Sequence, residues 1–190
     1  MPDRPLIGID YGSKLAGTTV LVIGPGPLRF VASKKKQDAD ALIESTLAEF
    51  READVYLDAP LSLPGVYRGL PGCDDYHRRA GDRELGAMSP MFLGGLTARA
   101  MRLAAACPHA AWHETYPAAQ AKRLGLDPTH YKKSAEHLPA MAAALGLDAD
   151  PTAVTSWHHF DALLAYLAGQ RHRAGIAQTY GDKAEGVIVV

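Results

Sequence analysis

The first elements of the fold are encoded in residues 5–32, whose sequence is PLIGIDYGSKLAGTTVLVIGPGPLRFVA. Its two apolar runs, Pro5–Asp10 and Thr18–Ile23, have the composition of β-strands, and the second is rich in β-branched residues. The sequence GPGP at 24–27 predicts a tight turn, and Leu28–Ala32 predicts a further short strand after it. The chain is therefore expected to begin with an antiparallel hairpin.

The residues that follow extend this start into a mixed sheet. Asp38–Phe50 has apolar residues at helical spacing, and Asp54–Asp58 is typical of a buried strand. A hairpin, a crossover helix and a further strand together indicate an α/β fold. Ala110–Glu114 predicts a fifth strand, whereas Val187–Val190 is either a last strand or a frayed end. Further helices are predicted at Tyr76–Arg83, Phe92–Cys107, Pro117–Leu124, Lys133–Leu145 and Ser156–Arg173. The expectation is a mixed five-stranded sheet with helices packed on both faces.

Length and composition indicate one globular domain spanning residues 1–190. The chain is 47% hydrophobic and 22% charged, which is typical of a globular protein. Residues 59–92 contain four prolines and five glycines, and so long a loop within a compact domain is usually functional or mobile. The apolar helix at 92–107 fits either the core or a dimer seam, which leaves a homodimer open.

The charge balance excludes a protein that is basic throughout. Twenty Lys and Arg residues face 21 Asp and Glu residues, and neither half of the chain is basic. Any contact with nucleic acid is therefore expected in a local groove. Cys73 and Cys107 fit no metal or redox spacing, which favours a reducing compartment. With no signal-like segment and no apolar run of spanning length, we expect a cytoplasmic protein without membrane partners.

Acidic residues lie where ligands bind in α/β proteins. Asp10, Asp58 and Glu114 each end a predicted strand, and strand ends form the ligand-binding edge of such sheets. Asp161 lies within the last long helix between apolar neighbours, although Asp is a poor helix former. If the three strands are neighbours, these four acids converge. The alternative for each strand-end acid is a helix cap or turn residue, and for Asp161 a solvent-facing position.

Four converging carboxylates repel one another unless a cation neutralises them. Mg²⁺ or Mn²⁺ suits carboxylate oxygens, and a pair of ions about 4 Å apart can clamp a phosphodiester during hydrolysis. We therefore expect Asp10 to bridge two ions, Asp58 and Asp161 to complete the metal shell, and Glu114 to orient a metal-bound water. All four acids are the predicted catalytic residues of a metal-dependent nuclease or phosphodiesterase.

Basic residues and one histidine are the candidates for substrate binding. His158 precedes Asp161 by three positions, so the two share a helix face. The full set of candidate substrate-binding residues is Lys14, Arg78, Arg79, Lys132, Lys133 and His158. The alternatives are a solvated helix end for Lys132 and Lys133, a local ion-pair network for the arginines, and a surface or capping position for the histidine.

Four segments in this order resemble a known family. They are Ile7–Gly12 (IGIDYG), Leu57–Pro64 (LDAPLSLP), His113–Pro117 (HETYP) and His158–Leu163 (HHFDAL). Together they resemble the domain-of-unknown-function-429 family, whose members are described as predicted nucleases with an RNase H-like fold. The likeness runs from residue 5 to about 175. The wider RNase H-like superfamily carries acids on its first strand, its fourth strand and its last helix.

This resemblance implies that Asp10, Asp58 and Asp161 hold metal ions in a nuclease acting on DNA or RNA. The chain departs from the resolvases of that superfamily in two ways. His158 stands where they often have a second acid, and its overall surface is less basic than theirs. Both departures argue against activity on large structured DNA. The balanced overall charge, with four acids held by metal in one cluster, favours a short, flexible or specially shaped substrate over a long duplex.

Two other classes of function also fit the sequence. Asp10–Lys14 (DYGSK) suits the phosphate-cradling hairpin of actin-like and sugar-kinase-like proteins, which would make the chain a nucleotide- or phosphometabolite-binding protein. Such kinases usually need two related domains, roughly twice this length. The third class is a non-catalytic interaction domain.

Overall fold

A computed structural model describes residues 4–190 and has a seven-stranded mixed sheet at its centre. The strands are β1 (Leu6–Asp10), β2 (Val20–Gly24), β3 (Arg29–Ala32), β4 (Asp54–Asp58), β5 (Ala111–Thr115), β6 (Thr179–Tyr180) and β7 (Ile188–Val189). Their order across the sheet is β3-β2-β1-β4-β5-β7-β6. The α/β class and the mixed sheet predicted from the sequence are confirmed.

The predicted hairpin is present, and parallel strands follow it. β1, β2 and β3 pair antiparallel, whereas β4 and β5 extend the sheet in parallel with β1. β7 is parallel to β5, and β6 closes this edge antiparallel to β7. The expected count of five strands is therefore corrected to seven. Strands of two residues are too short to carry a periodic pattern, so sequence reasoning misses β6 and leaves β7 undecided.

In the part of the chain that the structure describes, seven helices pack around the sheet. They are α1 (Ala39–Glu49), α2 (Ala80–Leu85), α3 (Pro90–Leu93), α4 (Gly95–Ala106), α5 (Pro117–Arg123), α6 (Leu138–Ala144) and α7 (Trp157–Arg173). Side chains cap the helices that begin at predicted sites: Asp38 accepts hydrogen bonds from the first turn of α1, and Ser156 accepts one from His159 in α7. Within residues 4–190, no helix combines the length and the hydrophobicity that a bilayer crossing requires.

Two apolar clusters fill the two faces of the sheet. Alternate residues of β1 belong to different clusters: Leu6 packs with α5, α6 and α7, whereas Ile7 packs with α1 and α4. This is the period of two expected of a central strand. Ala100 and Leu103 of α4 are fully buried in the second cluster, so the apolar side of that helix forms part of the core.

Three helices differ from their predicted bounds. The helix predicted at Tyr76–Arg83 begins as α2 only at Ala80 and ends at Leu85. The helix predicted at 92–107 is divided into α3 and α4, because Gly94 between them has a φ of 45° and interrupts the helical path. The helix predicted from Lys133 begins as α6 only at Leu138, after a short 3-10 turn at Ala135–His137. The long segment 59–92 is a loop that contains a 3-10 turn at Gly65–Arg68, α2 and the first residues of α3.

Helix α7 crosses β1 so closely that only glycine fits at position 8. A Cβ atom there would overlap the Tyr166 backbone nitrogen and would come within 2.5 Å of the Ala162 carbonyl oxygen. We expect Gly8→Ala to lower the free energy of unfolding by about 3 kcal/mol, since backbone atoms of α7 would have to move. Urea unfolding followed by circular dichroism measures this change.

Gly95→Ala is the matched control for that substitution. An added Cβ at Gly95, the first residue of α4, meets no atom within 4 Å. Because alanine favours a helix over glycine by up to about 1 kcal/mol, this variant is expected to be as stable as the wild type or slightly more stable. An unchanged unfolding midpoint in Gly8→Ala would contradict the close approach of α7 to β1.

Candidate functional site

Three of the four predicted acids meet at the carboxyl end of the central strands. Asp10 and Asp58 are directly paired in the parallel register of β1 and β4, so both side chains leave the sheet at the same point. Asp161 reaches them from α7. One carboxylate oxygen from each residue lies within 4.8 Å of the other two. We call Asp10, Asp58 and Asp161 the carboxylate triad.

Other side chains already contact two members of the triad. The Tyr131 hydroxyl donates to Asp161 Oδ1 at 2.7 Å, and the Lys132 ammonium lies 2.6 Å from Asp161 Oδ2. His158 Nδ1 lies 2.7 Å from Asp10 Oδ2. Lys132 adopts a left-handed backbone conformation, with φ of 59°, which is uncommon for a residue with a side chain. Backbone strain of this kind concentrates at functional sites.

The electrostatics show that these contacts do not fully neutralise the triad. Burial raises the pKa of Asp58 well above its ordinary value, and the charges of Asp10 and Asp161 raise it further. Burial also raises the pKa of Asp161, although Lys132 and Tyr131 act in the opposite direction. The hydrogen bond to Asp10 raises the pKa of His158. The site therefore favours added positive charge, as a proton or as a cation.

Glu114, the fourth predicted acid, lies outside the triad and has a different partner. Its carboxylate accepts two hydrogen bonds from the Arg79 guanidinium, at 2.6 and 2.7 Å, and one from the Leu61 amide at 2.9 Å. Arg79 is 1% exposed and also forms a salt bridge with the equally buried Asp82. The expected convergence of four acids is thus corrected to three. Glu114 pairs in register with Leu57, one residue before Asp58, so strand alternation turns its side chain to the opposite face of the sheet, where Arg79 binds both of its oxygens.

The basic residues predicted to bind substrate lie in four different settings. Arg79 is buried within its ion pairs, which corrects its assignment as a residue that contacts substrate. Lys14 forms a salt bridge of 3.0 Å with Asp38, next to the start of α1. Lys132 contacts the triad. Arg78 and Lys133 are exposed and form no salt bridge within residues 4–190.

A cavity opens directly beside the triad. Its volume is about 320 Å³, and it is lined by Asp58, Lys132 and Glu114 together with apolar residues of the 59–92 segment and of α4. Tyr11 also lines it, and its hydroxyl donates to the buried Asp40 at 2.7 Å. The cavity gives a ligand access to Asp58 from solvent, while apolar walls limit the water around it.

Sequence reasoning misses two residues that hold this site, Tyr131 and Glu185. The contact of Tyr131 with Asp161 spans 30 residues and follows no helical spacing. Glu185 accepts hydrogen bonds from the backbone amides of Gly65 and Ala80, at 2.7 and 2.8 Å, and so fastens the 59–92 segment beside the sheet. No local signal marks Glu185, because these partners lie more than 100 residues away in the chain.

The chemistry of the donor set fits a hard divalent cation. Three carboxylate oxygens from three separate elements converge, and Mg²⁺ and Mn²⁺ prefer such ligands while they retain bound water. All three converging ligand atoms are carboxylate oxygens, and His158 contacts Asp10 without belonging to the group.

No protein-family model matches the chain, and a search of curated proteins finds no match either.

Proposed function

We propose that the protein is a metal-dependent nuclease or phosphodiesterase that hydrolyses nucleic acid at the carboxylate triad. The observation that carries this proposal is the meeting of three aspartates from β1, β4 and α7 within 4.8 Å of one another beside a cavity. A bound divalent cation would offset the repulsion among the three buried carboxylates.

The strand order supports an RNase H-like core. The hairpin of β1, β2 and β3 is followed by the parallel strands β4 and β5, and the acids stand on the first strand, the fourth strand and the last long helix. That arrangement agrees with the resemblance to the domain-of-unknown-function-429 family. Strands β6 and β7 then extend the core sheet at the β5 edge.

Asp10, Asp58 and Asp161 would hold the Mg²⁺ or Mn²⁺. When bound, the cation would stabilise the charge that develops on the phosphodiester during hydrolysis. His158 orients Asp10 and, as a half-exposed imidazole, holds a proton beside that carboxylate. Tyr131 fixes Asp161 in place. Glu114 is not part of this proposal, since Arg79 occupies its oxygens.

The direct experiment is a cleavage assay with purified protein on single- and double-stranded DNA and RNA, with Mg²⁺, Mn²⁺ or a chelator. We expect cleavage of at least one substrate with metal and none with the chelator. Thermal-shift measurements accompany it: Mn²⁺ alone should raise the melting temperature, without any need for ATP. If no substrate is cleaved and neither metal changes the melting temperature, the proposal is wrong. If stabilisation requires ATP, a kinase-like site is indicated instead.

Lys132 competes with a metal for the triad, and this gives a testable prediction. Its ammonium lies 2.6 Å from Asp161 Oδ2. Burial lowers the pKa of Lys132, but its acidic neighbours, Asp161 before the others, raise that pKa by more, so the side chain stays cationic. We expect Lys132→Met to bind Mn²⁺ at least about tenfold more tightly, because one positive charge next to the site is removed. The same variant should melt at a lower temperature when metal is absent. Isothermal titration calorimetry and thermal melting measure the two effects.

Lys133→Met is the control for this substitution. Lys133 is the adjacent exposed lysine and forms no salt bridge within the described residues 4–190. Its replacement is expected to leave both Mn²⁺ affinity and the metal-free melting temperature unchanged. Equal Mn²⁺ affinity in Lys132→Met and in the wild type would show that the ammonium does not compete for the triad.

A further inference from the structure

Two further cavities flank the one beside the triad and share wall residues with it. The first, which we call the Phe92 pocket, has a volume of about 570 Å³, and Met88 lines both it and the triad cavity. The second, the Lys122 pocket, has a volume of about 510 Å³, and Tyr116 and Ala118 line both it and the triad cavity. The three cavities are thus neighbours, with Asp58 lining the middle one, and we call this row of cavities the groove.

The Phe92 pocket combines an exposed aromatic ring with an unpaired cation. Phe92 is 79% exposed, the largest exposure among the large hydrophobic residues of the described chain. Arg78 and His77, both exposed, line the same pocket. Asp75 lines it too, but its carboxylate forms a salt bridge with Arg83 at 3.0 Å. A flat apolar ring and a free guanidinium therefore face one small space.

The Lys122 pocket repeats this combination on the other side of the triad. Tyr116 and Tyr180 supply aromatic rings, and the exposed Lys122 forms no salt bridge within residues 4–190. Arg123 lines the pocket as well, but its guanidinium donates to the backbone carbonyls of Val190 and Ile176. Each side of the groove thus offers at least one ring and one cation outside any salt bridge of the described chain, and the Lys122 pocket is also lined by Glu84, whose carboxylate accepts a hydrogen bond from the Gly181 amide.

We infer that this groove binds a single strand of nucleic acid across the carboxylate triad, with one base stacked on Phe92. The inference rests on the proposed function and names its substrate class. Rings and cations that alternate along a groove are what a single strand requires, because its unpaired bases stack and its phosphates seek positive charge. A duplex keeps its bases covered and needs a wide basic surface, which a chain of net charge −1 does not provide.

Fluorescence anisotropy with a labelled strand of about 12 nucleotides, within the length that single-strand grooves commonly cover, tests this inference. The strand carries phosphorothioate links, which slow cleavage when the hard cation Mg²⁺ is the metal; Mg²⁺ is present, and a duplex of the same sequence is measured in parallel. We expect the wild type to bind the single strand at least tenfold more tightly than the duplex. Phe92→Ala should weaken single-strand binding about tenfold, and Phe92→Trp should restore it.

Ile176→Ala is the matched control, because Ile176 is another exposed apolar residue, 56% accessible, that lines none of the three cavities. Its strand affinity should equal that of the wild type. Preference for the duplex, equal affinity of Phe92→Ala and the wild type, or no binding of the single strand would each overturn the inference. The inference would also be overturned if sedimentation showed that Phe92→Ala converts a homodimer into monomers while strand affinity stays constant.

Failure of the inference can be told apart from failure of the proposed function. Metal-dependent cleavage of duplexes, with Phe92→Ala as active as the wild type, would overturn the stacking groove and leave the metal site standing. Single-strand binding that depends on Phe92, in a protein that neither binds Mn²⁺ nor cleaves, would overturn the proposed nuclease and support the groove.

Discussion

Asp58→Asn is expected to lower the rate of metal-dependent cleavage by about 10³-fold. The substitution replaces one of three carboxylate ligands of the candidate metal site by a neutral, weaker amide ligand, and a bound divalent ion contributes several kcal/mol of transition-state stabilisation, here taken as roughly 4 kcal/mol. Mn²⁺ affinity, measured by calorimetry, should fall together with the cleavage rate. The asparagine side chain has nearly the same shape, so the fold should be retained.

The same variant should be more stable than the wild type when metal is absent. Burial and the charges of Asp10 and Asp161 raise the pKa of Asp58 in the folded protein. The folded state therefore holds this proton more tightly than the unfolded state, and metal-free wild type loses stability as pH rises from the ordinary carboxyl range through the raised pKa. The asparagine of the variant does not titrate in this range and escapes that loss. Melting temperatures measured from pH 4 to pH 8 in a chelator would reveal the difference.

Asp148→Asn is the control for that comparison. Asp148 is exposed and forms no salt bridge within residues 4–190, so its replacement should change neither cleavage nor the pH dependence of melting. If Asp58→Asn binds Mn²⁺ as tightly as the wild type, the triad is not the metal site. If it is less stable than the wild type without metal, the charge repulsion inferred among the three aspartates is wrong.

Arg79→Met is expected to lower the free energy of unfolding by about 3–5 kcal/mol, the largest effect on stability that we predict. The guanidinium is 1% exposed and forms salt bridges with Glu114 and Asp82, at 2.6 and 2.7 Å. Its removal leaves two buried carboxylates without a counter-charge. Ser62 would also lose a hydrogen-bond donor. Urea unfolding measures the loss directly.

The arginine also fastens the 59–92 segment, so a second readout is available. Ser62, Arg79 and Asp82 all lie in that segment, whereas Glu114 belongs to β5 in the sheet. Limited proteolysis should cut the segment faster in Arg79→Met than in the wild type. Adding Glu114→Gln should recover part of the lost stability, because it removes one of the uncompensated charges. Arg78→Met, at an exposed neighbouring position, should melt as the wild type does.

The sequence predicts most of the elements that place the site. The apolar runs at 5–10 and 54–58 are local patterns, and each forms a central strand ending in an aspartate. Asp161 is an acidic residue among apolar neighbours in a helix, which likewise indicates a buried acid with partners. The structure agrees, since Asp161 is 2% exposed. These predictions succeed because hydrophobic periodicity and the unfavourable burial of an unpaired charge act on short stretches of chain.

Sequence reasoning could not assign partners across the fold. Glu114 ends the strand predicted at Ala110–Glu114, as Asp10 and Asp58 end theirs, but β5 runs on to Thr115 and Glu114 pairs in register with Leu57. Its side chain therefore leaves the sheet on the opposite face from that of Asp58, a shift of one residue that the sequence pattern does not fix. Its place is decided by Arg79, 35 residues away, which packing buries against it. For Lys132, the sequence leaves a solvated helix end and a phosphate contact equally open, whereas the structure places its ammonium 2.6 Å from Asp161 Oδ2.

From the sequence follows an α/β chain whose first strand, fourth strand and last long helix carry acids toward one edge of the sheet. Tertiary structure alone decided that three of the predicted acids meet and that the fourth pairs with an arginine. The physical reason is that strands and helices are encoded by near neighbours in the chain. The neutralisation of a buried charge depends instead on whichever group the folded chain brings within hydrogen-bond distance.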